Sequence, residues 1–456
     1  MLFSKVVSEG LSHNSYLVGS GSAAAVIDPR RDASIYCEIA EQNNMRIRYV
    51  FETHKNEDYV IGSLELADLA GAEVYHGRRL DFGFGKPAEE GDRFRLGSLE
   101  LEVLETPGHT EESISIVLRE TGVSPDPLMV FTGDTLLAGD AGRTDFYGSN
   151  RREEMSTLLY ESITERLLPL GDGVIVCPAH GAGSVCAAGI ADLELTTIGY
   201  EKANNPLLQL PRSEFVRVKA EEHHYYPPYF KRMEDFNKNG PPLIHRLPEP
   251  QGLTPPELEA WMAAGAQLVD IRSPMAFAGG HIPGTLHIPR NLIPAYAGWL
   301  LDYQDPLILV DDDNCDLASV VRYFVRLGYD QVKGYLAGGC TQWFKSGRSA
   351  ETITAWDAHA LEEDLARDDL VILDVRTIEN REDLGYIPGS SHIYLGELPE
   401  RIGEVSRDGE VVVYCDAGFK GSIGASILKK HGYRRVGNLL GGMTAWLRAG
   451  MRVEKG

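Results

Sequence analysis

The chain has 456 residues, too many for a single hydrophobic core, so about three domains of ordinary size are expected. An apolar content of 43% supports packed globular domains. With 44 basic against 67 acidic residues, the net charge of -23 excludes nucleic acid and anionic membrane surfaces as main partners and favours a small-molecule substrate.

The opening run Met1-Leu2-Phe3-Ser4-Lys5-Val6-Val7 is too short for the apolar core of a signal peptide, and no apolar run of roughly 18 residues occurs elsewhere. A cytoplasmic protein that does not cross a membrane is the expectation. Cys37, Cys177, Cys186, Cys315, Cys340 and Cys415 are scattered without C-x-x-C spacing, which argues against a disulfide framework or a zinc ribbon.

Residues 1–205 alternate strand-like runs with amphipathic helices at 60–70 and 152–168, the pattern of an α/β domain folded as an αββα sandwich. Three strand-like runs, 48–51, 99–104 and 128–131, each end just before a residue able to bind a metal: His54, His109 and Asp134. Ligands at strand ends are held rigidly. A two-zinc hydrolase would carry H-x-H-x-D-H where this chain has His54-Lys55-Asn56-Glu57-Asp58-Tyr59, so Asn56 and Tyr59 remove two expected imidazoles. What remains is two histidines and one carboxylate. That set suits one Fe(II) and leaves an open face for a sulfur substrate and O2, although imidazole and carboxylate also accept zinc.

Asp58 and His180 would serve a second zinc in a hydrolase; without a histidine at position 59 they read as groups orienting ligands or water. Arg143 either steers an anionic substrate or forms a structural ion pair with Asp145, and the sequence leaves both open. His13, His76, His223 and His224 lie outside these blocks and read as ordinary polar residues, with His223-His224-Tyr225-Tyr226 a candidate pocket wall.

Residues 206–250 are rich in aromatic, charged and proline residues and read as a cover over the first domain followed by a linker. An internal repeat with an offset of about 104 residues then begins. Asp270-Ile271-Arg272 recurs as Asp374-Val375-Arg376, His281-Ile282-Pro283-Gly284 as Tyr386-Ile387-Pro388-Gly389, His287-Ile288 as His392-Ile393, and the Gly338-Gly339 turn before Trp343 as Gly441-Gly442 before Trp446. Two α/β domains with parallel sheets are predicted, at 251–350 and 353–456.

In the second copy a strand ends in Cys415-Asp416-Ala417-Gly418-Phe419-Lys420-Gly421-Ser422 and a helix follows. Backbone N–H groups of such a loop, Gly418 and Gly421 among them, together with Lys420, are expected to stabilise a thiolate and lower the Cys415 pKa, making it a nucleophile. The first copy places Asp311 in the cysteine's position, within Asp311-Asp312-Asp313, and is expected to be inactive. Cys315 falls where the second copy has Phe419, and Cys340 in the Gly-Gly turn reads as structural.

Taken together, Thr53-His54, Asp58, Gly62-Ser63, Pro107-Gly108-His109-Thr110-Glu111-Glu112-Ser113, Gly133-Asp134-Thr135, Gly142-Arg143-Thr144-Asp145-Phe146 and Pro178-Ala179-His180-Gly181 resemble the persulfide dioxygenase branch of the metallo-β-lactamase superfamily. The repeat is similar to tandem rhodanese modules, and the resemblance extends over nearly the whole chain. It implies iron at His54, His109 and Asp134, oxidation of a glutathione-like persulfide by O2 to sulfite and thiol, and transfer of sulfane sulfur through Cys415 between thiosulfate or sulfite and thiols. The chain departs from the family pattern at Asn56 and Tyr59, outside the implied ligand set. A homo-oligomer is expected. The competing readings are a sulfurtransferase with a degenerate metal domain, a non-catalytic sulfur carrier, and a glyoxalase II-like thioester hydrolase.

Overall fold

The structure is a computed structural model that describes residues 1–455 apart from 186 and 188. Cys186 therefore lies outside the described residues. The chain divides into two compact units, Met1–Leu247 with Val325–Gly328, and Pro248–Phe324 with Tyr329–Gly456.

The first unit contains two six-stranded sheets. One runs in chain order from Leu2–Ser8 to Lys86–Ala88; the other packs the strands from Arg93–Leu96 to Thr196–Thr197 in reverse sequence order. Their facing side chains, including Tyr16, Val18, Phe51, Leu101, Ile116 and Phe131, form one buried cluster. Both outer faces are covered by helices. Ser34–Gln42 and Ser63–Ala70 bury Tyr36, Ala40 and Leu66 with Val26 and Val50 of the first sheet. Arg152–Glu161 and Arg212–Glu221 bury Leu159, Phe215 and Val216 with Val117 and Val130 of the second. This is the expected αββα sandwich. The predicted helix at 152–168 is regular only over Arg152–Glu161; the chain then widens into a π-helical turn, Ser162–Leu167, and a 3-10 turn, Leu168–Leu170.

Residues after 205 belong structurally to this unit. Helix Phe230–Asn239 buries Phe230, Met233 and Asn237, and the Asn237 amide donates to the carbonyls of Asn56 and Tyr59, both at 2.7 Å, while accepting from the Ile61 N–H at 3.1 Å. The predicted cover thus clamps the loop that begins with His54.

The second unit contains two five-stranded parallel sheets with the same strand order. In the first copy the order is Gln251–Leu253, Val332–Leu336, Leu307–Val310, Gln267–Asp270, Leu286–His287; in the second it is Thr354–Trp356, Arg435–Leu439, Glu410–Tyr414, Leu370–Asp374, Ser391–His392. The repeated motifs have repeated geometry. Arg272 grips Asp270 through Nε at 2.9 Å and Nη2 at 2.7 Å, and Arg376 grips Asp374 at the same two distances. His287 and His392 each use Nε2 on the carbonyl of that arginine. The Gly-Gly turns press on the loop after the central strand. A Cβ on Gly339 would stand 2.3 Å from the Asp311 carbonyl oxygen, and one on Gly442 would stand 2.2 Å from that of Cys415. Only glycine permits that approach at φ 61° and 53°.

Candidate functional site

His54 follows the strand Arg46–Glu52, His109 follows Leu99–Glu105 across a Pro-Gly turn, and Asp134 follows Met129–Gly133. The strands end together, so the three side chains converge, and among the described residues they form the group placed to hold a metal ion. Asp134 Oδ2 is 3.9 Å from His54 Nε2 and 3.6 Å from His109 Nε2. The imidazole rings stand nearly perpendicular, at 83° with centroids 4.9 Å apart. Each ring is fixed through its other nitrogen: His54 Nδ1 contacts Thr53 Oγ1 at 2.9 Å, and His109 Nδ1 donates to the Arg143 carbonyl at 2.9 Å. Orienting partners of this kind are characteristic of metal-binding histidines.

The fit to a metal follows from the atoms left over. His54 Nε2 and His109 Nε2 are buried without a hydrogen-bond partner, and both face the Asp134 carboxylate. Burial pushes the His54 imidazole down to about 3 and lowers His109 as well, leaving both neutral with a lone pair available. Burial also acts to raise the Asp134 carboxyl, but His180, His109 and His54 outweigh it and hold Asp134 below the usual carboxylate range. Two neutral imidazoles and one carboxylate are thus poised for a cation.

Where a second metal would sit, side chains contact one another. His180 Nδ1 lies 2.8 and 2.9 Å from the two oxygens of Asp134, and His180 Nε2 is 3.1 Å from Asp58 Oδ2. Tyr59 is buried against His13, with ring centroids 4.0 Å apart. Asp58 and His180 are therefore adjacent to the centre, joined to it through Asp134. His13, which the sequence placed among ordinary polar residues, lies in this wall, 5.8 Å from His180 between ring centroids; no local motif distinguishes it.

Asn56 adopts φ 46° and turns its amide back to the carbonyl of His54 at 3.1 Å. The next residue, Glu57, is fully buried, with Oε2 3.8 Å from His109 Nε2. Burial pushes its carboxyl up to about 8; Lys55 acts against that shift, and Glu112, Glu234 and Asp58 add to it. The sequence reading passed over Glu57, although an acidic residue inside the metal motif was the available signal.

Arg143 is buried and grips Asp145 with two hydrogen bonds of 2.7 and 2.8 Å, while its guanidinium lies over the Phe146 and Phe230 rings. Its guanidinium also donates to the Val185 and Tyr225 carbonyls at 3.3 and 3.4 Å, so the ion pair with Asp145 that the sequence offered as one of two readings is formed. His224 contacts Glu222 at 3.1 Å, and His223 packs edge-on against Tyr225.

In the second unit, Cys415 ends the central strand Glu410–Tyr414 and is buried. Gly418, at φ 87° before the helix Phe419–Lys430, donates its N–H to Cys415 Sγ at 3.2 Å, and the Gly421 and Ala417 amides also favour the thiolate. Lys420 Nζ is 2.5 Å from Asp416 Oδ2. The expected lowering of the thiol is corrected here: burial outweighs the amides and Lys420 and raises Cys415 above its ordinary value. The first copy bears directly on this helix. His287 Nδ1 accepts from Ser422 Oγ at 3.0 Å, and the His287 N–H donates to Ser426 Oγ at 3.0 Å. Asp311 occupies the cysteine position in the first copy, and Arg290 pairs with it at 2.9 Å.

The Metallo-beta-lactamase superfamily model matches residues 9–180, and the Rhodanese-like domain model matches 254–346 and 357–449. The hydroxyacylglutathione hydrolase GloC of Haemophilus influenzae is 30% identical over 207 residues, 41% of this chain and 87% of that protein. The chain belongs to the metallo-β-lactamase superfamily. Two rhodanese-like domains follow in the same chain. The persulfide dioxygenase ETHE1 of Bos taurus is 31% identical over 211 residues, 44% of this chain and 74% of that protein. Among solved structures, a metallo-β-lactamase from Staphylococcus aureus subsp. aureus COL superposes with a TM-score of 0.66 at 29% identity, covering 74% of this chain and 99% of that one. Both the hydrolase and the dioxygenase are thus relatives at nearly equal identity, so the choice between their chemistries rests on the site. No helix among the described residues is long and apolar enough to cross a membrane.

Proposed function

We propose that the chain is an Fe(II)-dependent persulfide dioxygenase that oxidises glutathione persulfide, or a similar low-molecular-weight persulfide, to sulfite, joined to a sulfurtransferase whose nucleophile is Cys415. The observation that carries this reading is the contrast between three ligand atoms left open around one position and a second position closed by His180, Asp58 and Tyr59. A thioester hydrolase of this fold activates water between two metals. A dioxygenase needs one metal with adjacent open positions.

His54, His109 and Asp134 would hold the ion. A bound Fe(II) would supply the redox chemistry of O2. The chain's own contribution is geometric: Thr53 and the Arg143 carbonyl fix the imidazoles, and His180 fixes Asp134. The balanced reaction is persulfide plus O2 and water giving thiol, bisulfite and one proton.

At the second site the Cys415 thiolate attacks the outer sulfur of thiosulfate. The S–S bond breaks, sulfite leaves with the bonding pair, and Cys415 carries a persulfide. A thiol acceptor then takes the terminal sulfur and returns the thiolate. The amides of Gly418 and Gly421 and the Lys420 ammonium oppose the upward pressure of burial on this sulfur. The first rhodanese-like domain, with Asp311 in place of a cysteine, serves as a wall to the second. A cytoplasmic homo-oligomer is part of the same proposal.

The rival reading, a sulfurtransferase carrying a degenerate metal domain, is disfavoured by the two buried imidazole Nε2 atoms that face Asp134 without a hydrogen-bond partner, which a decayed site would have no reason to keep. The test offers the same Fe(II)-loaded protein a glutathione thioester and glutathione persulfide. Oxygen consumption with the persulfide and no hydrolysis of the thioester support the proposal; thioester hydrolysis without oxygen consumption overturns it.

A further inference from the structure

We infer that His287 of the first rhodanese-like copy is a positioning residue for Cys415 of the second, acting through the hydroxyl of Ser422. The inference rests on the reading of Cys415 as the sulfurtransfer nucleophile. His287 and Ser422 are both buried and lie in the same compact unit. The Arg272 carbonyl takes the His287 Nε2–H at 3.0 Å, so Nδ1 carries the lone pair and Ser422 Oγ must donate to it, also at 3.0 Å. The ring lies flat against Phe277, with centroids 4.5 Å apart and planes at 18°. Ser426 Oγ accepts from the His287 N–H at 3.0 Å, and the i,i+4 spacing of the two serines turns one helix face toward this residue. The first copy has Ala318 where the second has Ser422, so its own helix offers no such hydroxyl.

Ser422 is one step from the atoms that face the Cys415 sulfur. Its N–H donates to the Gly418 carbonyl at 3.3 Å, closing the first turn of the helix Phe419–Lys430, and the Asn438 amide donates to the same carbonyl at 3.0 Å. Gly418 in turn donates its N–H to Cys415 Sγ at 3.2 Å. Gly421, the residue before Ser422, is closely fitted: a Cβ there would stand 2.3 Å from Asn438 Oδ1. Burial raises the Cys415 thiol, and among the groups opposing it the Gly421 amide acts most strongly. The helix packs on Glu410–Tyr414 and Arg435–Leu439 of its own copy and on Leu286–His287 of the first. The turn that carries both amides is therefore pinned from two sides, by Asn438 and by His287. Hydrogen bonds weaken steeply as their alignment is lost, so releasing Ser422 loosens the cradle without altering the thiol itself.

The experiment follows alkylation of Cys415 by iodoacetamide against pH in the full chain, resolved by mass spectrometry, well below the unfolding transition of each variant. Ser422→Ala and His287→Leu each remove the bond; His287→Asn keeps an acceptor oxygen near the place of Nδ1. Ser422→Ala and His287→Leu should move the apparent thiol pKa upward and slow alkylation at neutral pH by several-fold, with a parallel loss of thiosulfate sulfurtransfer. His287→Asn should lie closer to the unaltered chain. Should His287→Leu fail to fold, Ser422→Ala and His287→Asn carry the comparison. Profiles of Ser422→Ala and His287→Leu that coincide with the unaltered chain would overturn the inference, whatever happens to the unfolding midpoint, as would a shift in His287→Asn as large as that in Ser422→Ala. Absence of sulfurtransfer by the unaltered chain would instead overturn the reading of Cys415 as the nucleophile; the alkylation profiles need no turnover and would still decide the role of His287.

Discussion

His180 Nδ1 rests between the two carboxylate oxygens of Asp134, at 2.8 and 2.9 Å. In a two-metal site Asp134 would be free to bridge the ions; here a neighbouring imidazole claims it, and Tyr59 removes the remaining ligand. The chain should therefore bind one metal per molecule even in excess zinc. Equilibrium dialysis followed by elemental analysis checks this. Two tightly held zinc ions per chain would contradict the single-site geometry.

Cys415 and the metal centre belong to different units, so their activities should separate. Cys415→Ser should abolish thiosulfate sulfurtransfer and leave oxygen uptake near the level of the unaltered chain. Simultaneous loss of both would refute the assignment of independent sites.

Lys420 acts on Cys415 against burial. Replacing Lys420 with Met should raise the apparent thiol pKa and slow alkylation of Cys415 at neutral pH by several-fold, read residue by residue in a mass spectrometer so that exposed Cys315 does not interfere. An unchanged pH profile would remove Lys420 from the site.

His287 provides a pH dependence with a definite sign. Burial pushes its imidazole down to about 3, and the neutral ring accepts from Ser422 at Nδ1 while donating to the Arg272 carbonyl at Nε2. Below its ordinary value of 6.5 the unfolded chain binds a proton that the folded chain refuses, so this contribution to stability is complete above pH 6.5 and is lost as pH falls toward 3. All five tryptophans, Trp261, Trp299, Trp343, Trp356 and Trp446, lie in the second unit, so their fluorescence reports its unfolding selectively. The midpoint should drop by several degrees between pH 7 and pH 5, and His287→Gln should flatten that slope while lowering the midpoint at pH 7. A slope unaffected by the substitution would contradict the role given to His287.

Much of this was legible in the sequence because local pattern and tertiary contact coincide. Each Asp-x-Arg pair closes on itself within three residues, and each Gly-Gly turn meets the loop after the central strand, so the repeat carried its geometry with it. His54, His109 and Asp134 were legible because each stands where a strand ends. Glu57 was not, because its inward turn depends on a left-handed residue at Asn56 that no periodicity encodes. Asn237 was hidden by distance: it reaches the His54 loop from far along the chain. The Cys415 loop was read for its amides and its lysine, whereas the depth of burial that outweighs them depends on packing that the loop's own residues do not reveal.

The most direct test of the central claim is oxygen uptake by the Fe(II)-loaded protein supplied with glutathione persulfide, with sulfite measured as product. The account predicts one O2 consumed per sulfite formed, and loss of both uptake and bound metal in His54→Ala. No uptake by metal-replete protein, or uptake and metal content unchanged in His54→Ala, would contradict it.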